Sequence, residues 1–308
     1  MRRILDPAQI EAFGQRAIPR IRLPDRANLF ALRGQRLREL GEGRAAGHAI
    51  ADYLRLMAAV CDAQQAALAE FAGQLPDAER IAQAHAHRMP LIHAVGWPRA
   101  SMWRAALVQL CDAAAVPGFP AGVGAVCNRL RQAPPEEIEI QADALLAGRS
   151  AEIDTATAPF VMAALQVYWV GLASQLALDD VAELDVPGVC PVCGSLPVAS
   201  VVRTDERSEG YRYLHCALCA LEWHLVRVTC SHCQATKDIT YHSIDGGSQA
   251  VRAESCGICR TYRKILYQEH DAGVEPVADD LASLALDLLM SEAGYHRGSS
   301  NPLLWHST

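Results

Sequence analysis

The chain has 308 residues, of which 51% are hydrophobic and 20% are charged, and its formal net charge is −7. This composition is typical of a globular protein and excludes a disordered one, and the length allows two or three domains with a sizeable core. The negative charge argues against non-specific binding of nucleic acid.

The N-terminal residues lack the pattern of an export signal. The start MRRILDPAQIEAF has two arginines, but Asp6, Pro7 and Glu11 interrupt the segment where a Sec or twin-arginine signal has an apolar run. We therefore expect a cytoplasmic protein, since free thiols stay reduced in that compartment.

Apolar residues recur at helical spacing through residues 1–185, which we expect to form an all-helical domain. Segment 155–178 carries no charge, but Gln166 and Gln175 make it only moderately apolar. A buried central helix is therefore favoured over a membrane span. The predicted helices begin near Asp25 and near Ile50 and continue at 100–113, 119–132, 136–147 and 155–178.

The 11 cysteines divide into two sets. Cys61, Cys111 and Cys127 lie in apolar helical stretches and are predicted to be small buried residues. The other cysteines form Cys-x-x-Cys pairs, and each cysteine of the first two pairs recurs 40 positions later. This internal repeat predicts two copies of one small unit. The pairs are Cys190/Cys193, Cys216/Cys219, Cys230/Cys233 and Cys256/Cys259.

Paired Cys-x-x-Cys motifs have the spacing of a metal site. Two cysteines separated by two residues can turn both sulfurs toward one point, and two such knuckles supply a tetrahedron of sulfurs that suits zinc or rubredoxin-type iron. Gly194 permits the turn that leaves the first knuckle, whereas the residues at the equivalent positions, Ala220, Gln234 and Arg260, are less suited to it. We predict two metal ions, one bound by Cys190, Cys193, Cys216 and Cys219, and one bound by Cys230, Cys233, Cys256 and Cys259.

Other roles for these cysteines fit the pattern less well. Their odd number and the missing secretory signal argue against disulfides, and a thioredoxin-type redox pair needs a single motif at a strand-to-helix junction. A cross-braced arrangement, in which the first pair shares an ion with the third, is the alternative to sequential pairing, although it does not follow the repeat. Four sulfurs leave no coordination position for a reactive water, and no phosphate loop or serine elbow is present, so we expect no enzyme activity.

Residues 186–274 change character, because valine, tyrosine and turn-forming residues increase there. Nine basic and nine acidic side chains balance in this segment, so it lacks the basic face of a nucleic-acid-binding zinc ribbon. An amphipathic helix at 276–295 follows and needs a partner surface. Short strands between the knuckles are predicted at 198–204, 210–215, 240–244 and 250–254.

These elements define the expected fold class. It is a mainly α N-terminal helical domain, two small rubredoxin-like (zinc-ribbon-like) metal-binding β units, and a C-terminal helix that packs on the rest. The corresponding boundaries are 1–185 for the helical domain, 186–225 and 226–274 for the two metal units, and 275–308 for the C-terminal helix and tail.

Several runs of residues are similar to a known family. Taken with Asn28 to Phe30 and Tyr53-Leu54 in the helical half, they resemble the FdhE family of formate dehydrogenase accessory proteins, and all eight motif cysteines have a counterpart in that family. The C-terminal half is the more specific part, because knuckles, linkers and final helix occur in the same order. The runs are CPVCGSLPVAS, GYRYLHCALCALEW, RVTCSHC, ESCGICRTYRK and ADDLASLALDLLMSEAGYHRGSSNPLL.

The resemblance implies a cytoplasmic protein that is needed for active respiratory formate dehydrogenases and binds their catalytic subunit before export. It also implies two rubredoxin-type irons per chain, with zinc as the alternative, and a redox step in activating the enzyme. A rubredoxin-like electron-transfer protein and a zinc ribbon with a structural or nucleic-acid-binding role are the other hypotheses, and the acidic balance disfavours nucleic acid. No stable membrane insertion is expected, and a homo-oligomer is compatible with the sequence.

Overall fold

A computed structural model describes residues 18–43, 49–116, 118–205 and 208–305. The N-terminal segment with its two arginines lies outside these ranges. The helical part confirms the predicted helices and adds α3, whose sequence AERIAQAHAH is too polar for the apolar pattern to reveal. The described helices of this part are α1 (Leu29–Glu42), α2 (Ala49–Ala69), α3 (Ala78–His87), α4 (Met102–Ala114), α5 (Ala121–Gln132), α6 (Pro135–Leu146) and α7 (Ala158–Ala173), with short 3-10 turns at Ser150–Glu152 and Leu178–Asp180.

Helix α7 is the centre of the helical domain, as the sequence predicts for the uncharged segment. All 16 of its residues are buried, so an apolar surface on every face is required for packing rather than for contact with lipid. Across the described residues, no helix combines the length and the apolar character needed to cross a membrane. Gln166 and Trp169 are buried with polar partners: Gln166 donates to the Ala217 carbonyl at 2.7 Å, and Trp169 donates to the Ile92 carbonyl at 3.1 Å.

The three cysteines of the helical domain are buried, as predicted. Cys61, Cys111 and Cys127 each have 0% of their surface exposed and belong to the main hydrophobic core. Burial raises the pKa of the Cys61 thiol to about 12, so this thiol is not a reactive thiolate.

The strands of the described residues form one eight-stranded sheet, in the order β1-β4-β3-β2-β7-β6-β5, with β8 also paired to β7. The predicted strands are present, and each unit gains a third strand, β4 or β7, that the sequence analysis missed. Strands β1 and β8 were also missed, and β1, which pairs with β4, lies within 1–185, the segment predicted to be all-helical. The strands are β1 (Ile21–Arg22), β2 (Pro197–Val202), β3 (Arg212–Cys216), β4 (Glu222–His224), β5 (Ile239–His242), β6 (Val251–Cys256), β7 (Thr261–Tyr267) and β8 (His296–Arg297).

The two units repeat in three dimensions and share this sheet. Strands β2, β3 and β4 of the first unit correspond to β5, β6 and β7 of the second, and neighbouring strands within each unit are antiparallel. The units join where β2 pairs in parallel with β7, with Ser200 opposite Ile265 and Val202 opposite Tyr267. Gly188 lies at a second close approach of the two units, because a Cβ at this position would come within 2.4 Å of the Ser231 carbonyl oxygen.

The C-terminal helix is divided into α8 (Pro276–Ala282) and α9 (Leu284–Glu292), where the sequence predicts one helix. The division occurs at Ser283, whose backbone leaves the helical region. Lys264 of β7 is buried beneath this point and donates to the carbonyls of Asp280 at 2.7 Å and Ser283 at 3.1 Å. Carbonyls at the break thus have a charged donor in place of helical N–H groups.

Ion pairs join the helical domain to α8. Arg36 of α1 makes a two-pronged contact with Asp279, at 2.9 and 2.7 Å, and also contacts Asp271 at 2.6 Å. Arg33, one turn earlier, contacts Glu275 at 2.9 Å. The planar guanidinium matches a carboxylate in this geometry, so these pairs fix the position of α8 on the helical domain.

The packing of α7 can be tested at Gly171. A Cβ at this position would lie 2.4 Å from the ring of buried Phe71, whereas a Cβ at helical Gly124 meets no atom within 4 Å. We expect Gly171→Ala to destabilise the protein by about 1–3 kcal/mol through overpacking. Gly124→Ala is the matched control and should stabilise it by about 0.5–1 kcal/mol. Thermal unfolding of the metal-saturated proteins measures both, and equal midpoints for the two variants would contradict this packing.

Candidate metal centres

The structure gathers the eight motif thiols into two groups of four. Within each group the sulfurs all lie within 4.8 Å of one another. The grouping is sequential, the first pair with the second and the third with the fourth, and not cross-braced. Site 1 contains Cys190, Cys193, Cys216 and Cys219, and site 2 contains Cys230, Cys233, Cys256 and Cys259.

The sulfur spacing fits a tetrahedral ion. In site 1 the Sγ atoms of Cys190 and Cys219 are 3.5 Å apart, and those of Cys193 and Cys216 are 3.4 Å apart. The two corresponding distances in site 2 are both 3.7 Å. Four sulfurs at about 2.3 Å from one ion are separated by about 3.8 Å in a regular tetrahedron. Each group can therefore close around an ion with only small movements.

The same backbone turn follows all four knuckles. Gly194 has φ +76°, and the equivalent residues Ala220, Gln234 and Arg260 have φ between +57° and +64°. A side chain in this left-handed region costs about 1–2 kcal/mol. The three non-glycine residues thus adopt the glycine conformation at an energetic cost that the closed knuckle must offset.

Backbone hydrogen bonds shape the knuckles. The N–H groups of Leu218 and Cys219 point at the Cys216 sulfur at 3.4 Å, and those of His232 and Cys233 point at the Cys230 sulfur at the same distance. Such donors favour a thiolate over a thiol.

Burial opposes that charge. It raises the pKa of Cys190 and of Cys219 well above the usual range, and it raises the pKa of Cys230 to about 12. Burial is outweighed by hydrogen bonds at Cys193 and Cys259, where the pKa is lowered, to about 7 for Cys259. The four buried thiolates of site 1, and the buried thiolates of site 2, need a cation among them, because burial penalises an uncompensated charge. Metal binding to such a group therefore releases protons and stabilises the folded unit.

The two sites differ in exposure. All four cysteines of site 1 are buried and belong to the main hydrophobic core. In site 2, Cys233 is exposed and Cys259 is partly exposed. The helical domain accounts for the difference, because Ile92 and Ala94 donate to the carbonyls of Val192 and Cys193 at 2.9 Å and so cover the first knuckle.

The knuckle sequences contain a signal of this difference that the sequence analysis missed. Between its cysteines, site 1 has Pro191-Val192 and Ala217-Leu218, which suit a core. Site 2 has Ser231-His232 and Gly257-Ile258, of which His232 and Ile258 are exposed. Exposed His232 in the third knuckle indicates a unit at the surface, whereas Ser231 beside it is buried.

The donor set of both groups is entirely sulfur. No histidine or carboxylate of the described residues belongs to either group, although His215 and His232 are neighbours in sequence of site cysteines. Four soft donors in a tetrahedron are the environment of structural zinc and of rubredoxin-type iron. The residues present therefore fit either metal.

The fold and the sites together define a class of protein: a helical domain fused to a two-unit, rubredoxin-like module with two four-cysteine metal-binding sites. Comparison with known proteins gives the family. The FdhE N-terminal model matches residues 18–185, the FdhE central domain model matches 189–227, and the FdhE C-terminal domain model matches 228–304. The chain belongs to the FdhE family, as the cysteine runs and linkers predict.

Individual relatives match along most of their length. An FdhE homolog of Edwardsiella ictaluri is 44% identical over 92% of this chain and 90% of its own length. The FdhE protein of Salmonella paratyphi A is 42% identical over 94% of this chain and 92% of its own length. The crystal structure of the FdhE protein from Pseudomonas aeruginosa superposes with a TM-score of 0.82 and 39% identity, covering 94% of this chain and 100% of that one.

The knuckle turns can be tested by exchanging glycine and side chains. Exposed Gln234 has φ +64°, so Gln234→Gly should stabilise the metal-saturated protein by up to about 1 kcal/mol. Gly194→Ala is the converse change and should destabilise it by about 1–2 kcal/mol. Its Cβ would also lie 2.9 Å from the His93 ring. Thermal unfolding midpoints check both; destabilisation by Gln234→Gly would contradict the strain assigned to this knuckle.

The exposure difference predicts unequal metal release. When the loaded protein meets an excess of chelator and an alkylating reagent, the thiols of site 2 should be modified first, because Cys233 and Cys259 are accessible and site 1 is in the core. Mass spectrometry of alkylated peptides at increasing times measures the order. Cys193 is the repeat equivalent of Cys233 and is the internal control. Equal rates at these two cysteines would contradict the prediction.

Proposed function

We propose that this protein is an accessory factor for a respiratory formate dehydrogenase. In this proposal it binds the catalytic subunit in the cytoplasm, before export, and is required for the subunit to become active. The protein itself catalyses no reaction; it holds an immature client on the combined surface of the helical domain and the metal module.

The observation that carries the proposal is family membership along the whole described chain. All three FdhE models match, from residue 18 to residue 304, so the similarity covers the helical domain as well as the cysteine motifs. A metal module alone would be compatible with many roles. Because the helical domain matches the same family, the accessory role of that family is favoured over the other roles that a metal module could have.

We propose that Cys190, Cys193, Cys216 and Cys219 hold one ion, that Cys230, Cys233, Cys256 and Cys259 hold the other, and that both ions are iron. Iron bound by four sulfurs supplies one-electron chemistry between its ferric and ferrous states. The chain contributes the closed sulfur shell, which excludes water from the ion and maintains one geometry. Zinc is the alternative occupant and would make both sites structural.

An electron-transfer role is the second candidate, and the exposure of site 2 favours it. Cys233 is exposed and Cys259 is partly exposed, so a redox partner can approach these sulfurs closely. Site 1 is enclosed by the helical domain and offers no such approach. The two candidates are compatible, because a redox step at site 2 can form part of client activation.

The accessory role can be tested in a host that has a respiratory formate dehydrogenase and lacks its own FdhE. The tagged full chain should restore formate oxidation and should co-purify from the cytoplasmic fraction with the catalytic subunit. The double variant Cys233→Ser and Cys259→Ser opens site 2 and leaves the main core, which contains the site 1 thiols, in place. We expect this variant to lose both the restored formate oxidation and the co-purification, while its helical domain stays folded.

Cys127→Ala is the matched control, because it removes a buried thiol that lies outside both metal sites. It should restore formate oxidation as well as the unmodified chain does. Normal formate oxidation in the host without this protein or any relative would overturn the accessory role. If the double variant restores formate oxidation, the accessory role stands, but the proposal that an intact site 2 is needed for it is wrong.

A further inference from the structure

Arg263 of β7 is a buried cation between the two metal units. Only 4% of its surface is exposed. Its Nε donates to the Ser231 hydroxyl at 2.9 Å, within the third knuckle, and its Nη1 donates to the Ser299 hydroxyl at 2.7 Å and to the Pro197 carbonyl. Pro197 is paired across the sheet with Cys216, so the guanidinium connects site 2 to the backbone beside site 1.

Arg263 differs from the other buried cations in its charge partners. Among the described residues, the buried Arg and Lys side chains are Arg33, Arg212, Arg263 and Lys264. Three of them form ion pairs: Arg33 with Glu275 at 2.9 Å, Arg212 with Glu254 at 2.7 Å, and Lys264 with Asp287 at 2.7 Å. No carboxylate of the described residues pairs with Arg263; its hydrogen-bond acceptors are neutral.

A buried guanidinium without a counter-charge is unfavourable, because burial removes the water that would solvate it. Its hydroxyl and carbonyl acceptors satisfy hydrogen bonds but carry no net charge. Two buried carboxylates lie near Arg263, but other cations already neutralise them. Glu254, opposite Arg263 across the sheet, pairs with Arg212 at 2.7 Å, and Asp280 pairs with Lys264 and Arg297. An anion close to Arg263 would resolve the imbalance.

Site 2 supplies such an anion when it is loaded. Arg263 lies against this site, because its Nε donates to Ser231, the residue after Cys230, and it lines a small void together with Cys230, Cys256 and the Arg212-paired Glu254. Four thiolates around a divalent ion leave two negative charges in excess.

We propose that Arg263 is the buried counter-ion of the loaded site 2, and that its charge raises the affinity of this site for a divalent metal. The proposal rests on the metal centres proposed above, but it does not depend on the formate dehydrogenase role. The hydrogen bond from Arg263 to Ser231 holds the positive charge beside the knuckle. The low-dielectric surroundings strengthen the attraction between this charge and the thiolates.

The test uses the full chain loaded with zinc and titrated with a competing chelator. Alkylation and mass spectrometry of the freed cysteines assign each released ion to its site. Arg263→Gln removes the charge and keeps hydrogen-bonding groups, and we expect it to weaken zinc binding at site 2 by about 10–100-fold, with little change at site 1.

Two further variants separate charge from structure. Arg263→Lys keeps the charge and loses the planar fork, so it should retain most of the site 2 affinity. Ser231→Ala keeps Arg263 and removes one hydrogen bond, so its effect should be smaller than that of Arg263→Gln. With iron in the site, Arg263→Gln should also lower the ferric/ferrous potential, because a nearby positive charge favours the more negative, ferrous form.

The outcomes distinguish the two proposals. A wild-type chain that binds fewer than two ions overturns the metal centres and the counter-ion together. If two ions bind and Arg263→Gln weakens site 2 no more than Ser231→Ala does, only the counter-ion role is wrong. If Arg263→Gln does not fold, Arg263→Lys decides, since loss of site 2 affinity in that folded, still charged variant overturns the proposal.

Discussion

The bonding of four cysteine sulfurs to one cation is the interaction on which the metal module depends. Each unit has three short strands and two knuckles, too little apolar surface for an independent core. The thiols of Cys190 and Cys219 face each other at 3.5 Å only because both knuckles turn inward. The free energy of metal binding is therefore free energy of folding for these units. Left-handed backbone at Gln234 and Arg260 is tolerated within the same closed turns.

Within the metal module, burial decreases with distance from the helical domain. Site 1 shares the main core with α7, whose Gln166 holds the second knuckle through the Ala217 carbonyl. Site 2 lies beyond the parallel junction of β2 and β7 and has two accessible thiols. One site is thus built to anchor the module to the helices. The other is the site to which the proposed redox step is assigned, and Arg263 hydrogen-bonds across the junction between the two.

The features that could be predicted from the sequence are those set by residues close together in the chain. The 40-residue repeat was sufficient to group the thiols, because knuckle geometry is set by a few residues, and apolar periodicity was sufficient for most helices. Helix α3 was missed since its sequence is polar, although Asp77 provides an N-cap that accepts from Arg80. The parallel pairing of β2 with β7 and the position of Arg263 involve partners distant in sequence. No local pattern contains that information.

X-ray absorption at the iron and zinc edges of the purified full chain tests the sulfur cages most directly. Two metal ions per chain are expected, each with four sulfur neighbours at about 2.3 Å and no nitrogen or oxygen neighbour. The edge that responds also identifies the metal. A nitrogen or oxygen atom in the first coordination sphere, or a single ion per chain, would contradict the assignment of all eight cysteines to two closed sites.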